Sequence, residues 1–150
     1  MLSLVVTLVS SKTPVIVPDW PKLPFPFSTA LVSFNGAIHL SGMQGFDFKA
    51  SPPGLVGGGV YNQTQQTMAN IAEVMNAARG ASMSDLLACD VLLADIKKDF
   101  KEMNKAYEAA FTDGVYPARV AYQSTLAGGA AVEIKCTGDV SQYYERKTDA

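Results

Sequence analysis

Val60, Thr64, Met68, Ile71, Met75 and Ala78 recur at steps of three and four residues, and this stripe restricts the fold more than any other feature. It predicts a helix over Val60–Arg79 with one face committed to a core, and Gly80 stands where a helix end prefers glycine. Phe100, Met103, Tyr107 and Phe111 form a second stripe, which predicts a helix from about Lys98 to Phe111 with Asn104 beside the apolar face. The segments around these helices are strand-like. Ala30–Phe34 and Ala37–Ser41 flank Asn35-Gly36, the strongest short-range hairpin signal a sequence offers. Leu86–Leu93 reads as a buried strand. Two more strands follow at 118–123 and 131–137, and in the last of these Val132, Ile134 and Cys136 alternate with Glu133, Lys135 and Thr137.

The remaining segments are connections. Residues 13–28 carry Pro14, Pro18, Pro21, Pro24 and Pro26 and read as a stiff, extended connector whose Trp20, Phe25 and Phe27 pack onto something. Residues 42–59 are rich in Gly and Pro and read as a loop. Residues 1–12 are β-branched and apolar, which fits a first strand. A targeting remnant is the alternative, although the basic start of such a signal is lacking. From Gln142 the chain is polar and expected to fray, giving a flexible tail over about 140–150.

Together these elements predict one α+β domain over residues 1–150, a mixed sheet with two helices on one face. The other sheet face then has no cover from its own chain, and self-association would supply it.

Composition removes several function classes. The net charge of −2, with scattered Lys and Arg, offers no basic footprint for nucleic acid. No apolar run is long enough to span a membrane. His39 is the single histidine and sits mid-strand without a nucleophile-elbow motif, so a Ser-His-Asp triad is not indicated. One His and two isolated Cys do not make a zinc site, and no metal is expected. Gly57-Gly58-Gly59 lacks the Lys-Ser/Thr of a phosphate loop. Cys89 and Cys136 read as buried free thiols, with a disulfide as the alternative, which favours a reducing compartment such as the cytoplasm.

The chemistry-bearing pair is Arg119, in Tyr116-Pro117-Ala118-Arg119, and Glu133, in Ala131-Val132-Glu133-Ile134. If their strands pair as neighbours around Leu126, the two side chains fall nearly opposite. A guanidinium binds a carboxylate ligand with two parallel hydrogen bonds, and a carboxylate beside it holds water or moves a proton. A cross-strand salt bridge is the plainer reading of the same pair.

In order along residues 24–139, the motifs Pro26-Phe27-Ser28-x-Ala30, Leu40-Ser41-Gly42 with Gly45-x-Asp47, Gln66-Thr67-Met68-x-Asn70-Ile71, Asn104-x-x-Tyr107, Pro117-Ala118-Arg119 and Val132-Glu133-Ile134 resemble those of the RidA (YjgF) family of enamine/imine deaminases. The resemblance implies a chorismate mutase-like α+β fold, a homotrimer with clefts between subunits, and cofactor-independent hydrolysis of reactive 2-imino or 2-enamino acids to 2-keto acids and ammonia. It also implies that Arg119 clamps the substrate carboxylate, that the Gly42 backbone N–H assists, and that Glu133 orients water. Ser41 would shape the loop that presents Gly42, while Asn104, Phe27, Pro117 and Ala121 would line the pocket. A carboxylate-binding regulatory trimer, a translation-inhibiting ribonuclease and a chaperone are the alternatives within the same family. This chain departs from the pattern at Phe27 (commonly Tyr), Met43 (often Gln) and Ala121 (often Cys or Thr). Its connection from Arg119 to Glu133 is also one residue shorter than is common.

Overall fold

The computed structural model describes residues 11–22 and 24–144. The expected first strand and targeting remnant fall on residues 1–12, of which 1–10 lie outside the described residues, as do 145–150 of the expected tail.

The strands of the main sheet are β1 (Lys12–Val15), β2 (Ala30–Ser33), β3 (Ala37–Leu40), β4 (Met43–Gln44), β7 (Leu86–Leu93), β8 (Ala118–Gln123) and β9 (Val132–Asp139). The order across the sheet is β1-β2-β3-β9-β7-β8, and β4 also pairs with β9. The two helices are α1 (Gly59–Ala77) and α2 (Ile96–Glu108). A small ribbon joins β5 (Phe46–Asp47) to β6 (Gly54–Leu55), so the segment expected as a loop at 42–59 contains three short strands.

Both helices form where the periodicity predicts. All six residues of the first stripe are buried, and α1 ends at Ala77 with Arg79 and Gly80 in the left-handed region at φ 61° and 83°. In α2, Asp95 caps the first turn by accepting from the Lys98 N–H at 3.1 Å. Met103, Tyr107 and Phe111 are buried, but Phe100 is not: it faces solvent at the start of the helix. The Asn35-Gly36 hairpin is present. Gly36 takes φ 89°, and a Cβ there would come within 2.3 Å of the Ser141 backbone, so this turn also seats the C-terminal segment. Residues 142–144 are docked where fraying was expected: Tyr143 Oη and Gln142 Nε2 donate to the Asp85 carboxylate at 3.0 and 2.8 Å.

Three further expectations fail. The connector at 13–28 starts inside β1, where Pro14 is accepted because the strand lies at the sheet edge. Val15 and Val17 of this connector are buried in the core, and of its three aromatics only Trp20 packs onto the domain, stacked on Phe48 at 4.1 Å and donating to Glu73 at 3.0 Å. Phe25 and Phe27 stack on each other and stay exposed. The cysteines are not free: Cys89 and Cys136 stand opposite each other on β7 and β9 and form a disulfide, which removes the argument for a reducing compartment. Finally, β8 and β9 are not neighbours. β7 lies between them, parallel to β8 and antiparallel to β9.

The core occupies one side of the sheet. Cys89, Val91 and Leu93 of β7 and Val132, Ile134 and Cys136 of β9 face the helices. The opposite face has no cover among the described residues, and Val120 and Tyr122 stand on it 50% and 44% exposed.

Candidate functional site

The sheet sorts the expected site residues into two groups on opposite faces. In the first group, the backbone between β3 and β4 carries a one-residue bulge. His39 opposes Thr137 and Met43 opposes Ile134, so four steps on one strand match three on β9. Ser41 and Gly42 lie in this bulge. Ser41 is pinned twice to the preceding segment, its N–H donating to Thr29 O at 2.9 Å and its hydroxyl to Ser28 O at 2.7 Å. Ser28 follows the exposed Phe27, so the connector runs directly over the bulge.

Glu133 lies beside Gly42. A Cβ on Gly42 would sit 2.1 Å from Glu133 Oε1, so the carboxylate occupies space that only glycine leaves open. Gln44, opposite Glu133 in the β4–β9 pair, donates Nε2 to Glu133 Oε2 at 2.8 Å and to Ala127 O at 3.1 Å. Two buried polar residues of α1 hold this region in place. Asn70 donates to Gln44 O and Phe46 O at 3.2 and 2.9 Å, and Gln63 accepts from Ala131 N–H at 2.7 Å.

The second group lies on the helix side at the β8 edge. Arg119 is in register with Cys89 and therefore points toward the helices. Its guanidinium stands over the Tyr107 ring, 4.9 Å from the centroid, with Nη1 3.9 Å from Met103 Sδ. No carboxylate reaches it among the described residues. Burial pushes the Tyr107 hydroxyl up to about 12, with Arg119 opposing the shift, and Tyr107 Oη has no hydrogen-bond partner among the described residues. Pro117 is buried just ahead of β8 and Ala121 is half-buried two residues beyond Arg119 on the same face. Asn104 follows Met103 on α2 and is half-buried.

Arg119 and Glu133 therefore do not meet within one protomer. Through β7, Glu133 shares a row with Leu92 and Tyr122, three residues along β8 from Arg119. Two strand spacings and three rises place their Cα atoms about 14 Å apart, with side chains leaving opposite faces. The expected cross-strand pairing, as binding site or as salt bridge, is overturned by the intervening strand. Among the described residues, a cleft of about 250 Å³ between α1 and α2 and one of about 600 Å³ along residues 123–130 are lined by neither Arg119 nor Glu133.

Gln44 and Tyr107 are the contacts that sequence reasoning missed. The first had a signal, since period-two alternation from Gly42 brings residue 44 to the same side. The Tyr107–Arg119 contact had none, because it depends on how α2 crosses β8.

A family model for endoribonuclease L-PSP matches residues 21–140. The 2-iminobutanoate/2-iminopropanoate deaminase of Mus musculus is 39% identical over 111 residues, covering 73% of this chain and 78% of that protein. The Capra hircus protein of the same name is 38% identical, with 73% and 77% covered. Among solved structures, an Entamoeba histolytica protein with the endoribonuclease L-PSP name superposes with a TM-score of 0.77 at 33% identity, over 86% of this chain and 99% of that one.

Proposed function

The chain belongs to the RidA (YjgF) family, that of the endoribonuclease L-PSP model, and from this premise we propose that it hydrolyses reactive 2-imino and 2-enamino acids to 2-keto acids and ammonia without a cofactor. The observation that carries the reading is Arg119: a guanidinium set by an aromatic ring and a thioether, with its donors uncommitted to any carboxylate of the described chain. Such a group offers a bidentate site to a small anionic ligand.

The chemistry asks little of the protein. The C=N carbon is already electrophilic. Water adds to it and one of its protons passes to nitrogen, which gives a carbinolamine; the remaining hydroxyl proton then passes to nitrogen as the C–N bond breaks, so that the carbonyl forms and ammonia leaves. Arg119 holds the carboxylate, assisted by the Gly42 N–H, and Glu133 takes each of these protons from oxygen and returns it to nitrogen. General acid–base help of this kind is worth about 10²–10⁴-fold, and fixed orientation adds more.

One protomer does not offer both groups to one substrate, so the reading includes a homotrimer in which each site joins Arg119 of one subunit to the partner subunit's Glu133. The exposed apolar residues Val120 and Tyr122 on the open sheet face support such an assembly. Asn104, Pro117 and Ala121 line the Arg119 side, and Phe27 and Ser41 the Glu133 side.

The test couples the protein to a dehydratase that releases 2-aminoacrylate or 2-iminobutanoate and follows the imine by semicarbazide trapping. Wild-type protein accelerates its loss, Arg119→Ala abolishes the acceleration, and Glu133→Ala lowers turnover while 2-keto acid binding persists. Undiminished rates in Arg119→Ala refute the assignment. Binding without turnover in the wild type supports a carboxylate-binding regulatory trimer instead, a reading that Arg119 alone would satisfy.

A further inference from the structure

The Gln44 side chain has a role that neither the family resemblance nor the relatives' names assign. We infer that Gln44 is a positioning residue that aims the Glu133 carboxylate, an inference that rests on the deaminase reading above. Its amide nitrogen has two hydrogens, and both are committed: one to Ala127 O at 3.1 Å, the other to Glu133 Oε2 at 2.8 Å. The first bond fixes the amide against a backbone carbonyl. The second therefore reaches Glu133 from a preset direction.

The backbone beneath is equally fixed. Asn70, 2% exposed in α1, donates to the carbonyls of Gln44 and Phe46 at 3.2 and 2.9 Å, and Gln66 donates to Asn70 Oδ1 at 2.9 Å. A chain of amides thus runs from helix α1 to the carboxylate. With Oε2 held by Gln44, Oε1 lies over Gly42, where a Cβ would come within 2.1 Å of it. No other hydrogen bond reaches the carboxylate among the described residues. The arrangement leaves Oε1 as the atom available to water and sets its direction. Among the described residues the donor that orients the Glu133 side chain is the neutral amide of Gln44, and no cation stands in this role.

The amide acts through Glu133 and does not touch the substrate carboxylate held by Arg119. Its loss should therefore appear in kcat and leave KM in place. Gln44→Met keeps length and volume and removes both donors. Its kcat in the imine-trapping assay should fall about tenfold, the weight of one hydrogen bond to a charged group, with KM within about twofold of wild type. In a Glu133→Gln background the same change should have no further effect, since the group it aims is gone. Gln44→Asn, whose amide is one methylene too short to span both acceptors, should behave as Gln44→Met and serves if the methionine variant is poorly folded. Wild-type kcat in both variants overturns the inference and leaves the deaminase reading standing, as does a raised KM at unchanged kcat. An equal loss in the Glu133→Gln background also overturns it, because Gln44 would then act independently. A wild-type protein that does not accelerate imine loss overturns both.

Discussion

Gly42→Ala separates the site from the fold. The new Cβ would fall 2.1 Å from Glu133 Oε1, 2.8 Å from Cδ and 3.1 Å from Cγ. Ordinary contact needs about 3.4 Å or more, so the carboxylate must withdraw by about 1 Å. The atoms that must move are the end of a flexible, half-buried side chain, and Gly42 does not have a left-handed φ that alanine would resist. Alanine also restricts the unfolded chain, which by itself stabilises by about 0.4–1 kcal/mol. Against this stands the weakened Gln44–Glu133 hydrogen bond, about 1 kcal/mol at a partly exposed position. The two terms nearly cancel, and the melting temperature should move by less than about 5 °C.

Activity should respond very differently, because a misplacement of about 1 Å in a catalytic group costs on the order of 10²-fold in rate. Imine trapping should show kcat down about a hundredfold, with 2-keto acid binding retained through Arg119. The paired measurements are a thermal melt and the trapping assay on one preparation. Wild-type turnover with an unchanged melt would refute the argument that Glu133 works from the space above Gly42. A large loss of stability would show that the close approach serves packing instead.

Other predictions come from the Arg119 side and the core. Tyr107→Phe should leave stability at pH 7 unchanged or raise it by about 1 kcal/mol, because it removes a buried hydroxyl without a partner. In the wild type the folded state holds the Tyr107 proton up to about 12, so stability should fall as pH rises from about 10 toward 12, and urea titrations of Tyr107→Phe should lack that fall. The Cys89–Cys136 disulfide closes a separation of 47 residues, and the Cys89→Ala/Cys136→Ala variant should lose up to about 4 kcal/mol in urea unfolding. Identical unfolding curves with and without dithiothreitol would show that the thiols are free.

The elements were legible wherever a periodicity ran long enough. The stripe from Val60 to Ala78, the 86–93 run and the Asn35-Gly36 turn each specify their element through local chemistry. What the sequence did not reveal was adjacency. The connection after β8 suggested a hairpin with β9, because neighbouring strands usually pair, but α2 carries the chain across so that β8 lies parallel on the outer side of β7, and β9 returns to the middle. The same topology decided the cysteines, since residues 89 and 136 become opposed only when β9 lies against β7. For the site, residue types at 42, 119 and 133 were readable, whereas their assignment to opposite faces depended on strand order. Gln44 went unnoticed because its importance lies wholly in what stands across from it.

That separation of faces leads to a quantitative test of the proposed assembly. If each site takes Arg119 from one subunit and Glu133 from its neighbour, Arg119→Ala trimers are inactive and Glu133→Ala trimers keep only residual turnover, for different reasons. Unfolding the two variants together and refolding them at equal concentration gives mixed trimers. A given site then has probability one half of drawing an intact Arg119 on one side and one half of drawing the partner subunit's Glu133 intact on the other, so about a quarter of all sites are whole. The mixture should recover about a quarter of wild-type activity, well above the Arg119→Ala parent and the residual turnover of the Glu133→Ala parent. A site confined to one protomer predicts no recovery at any ratio, because every subunit carries one lesion. Recovery well above a quarter would also contradict the arrangement, since random assembly does not pair intact halves more often. Sedimentation of the mixture as a trimer, run beside the activity measurement, separates failed assembly from a failed site.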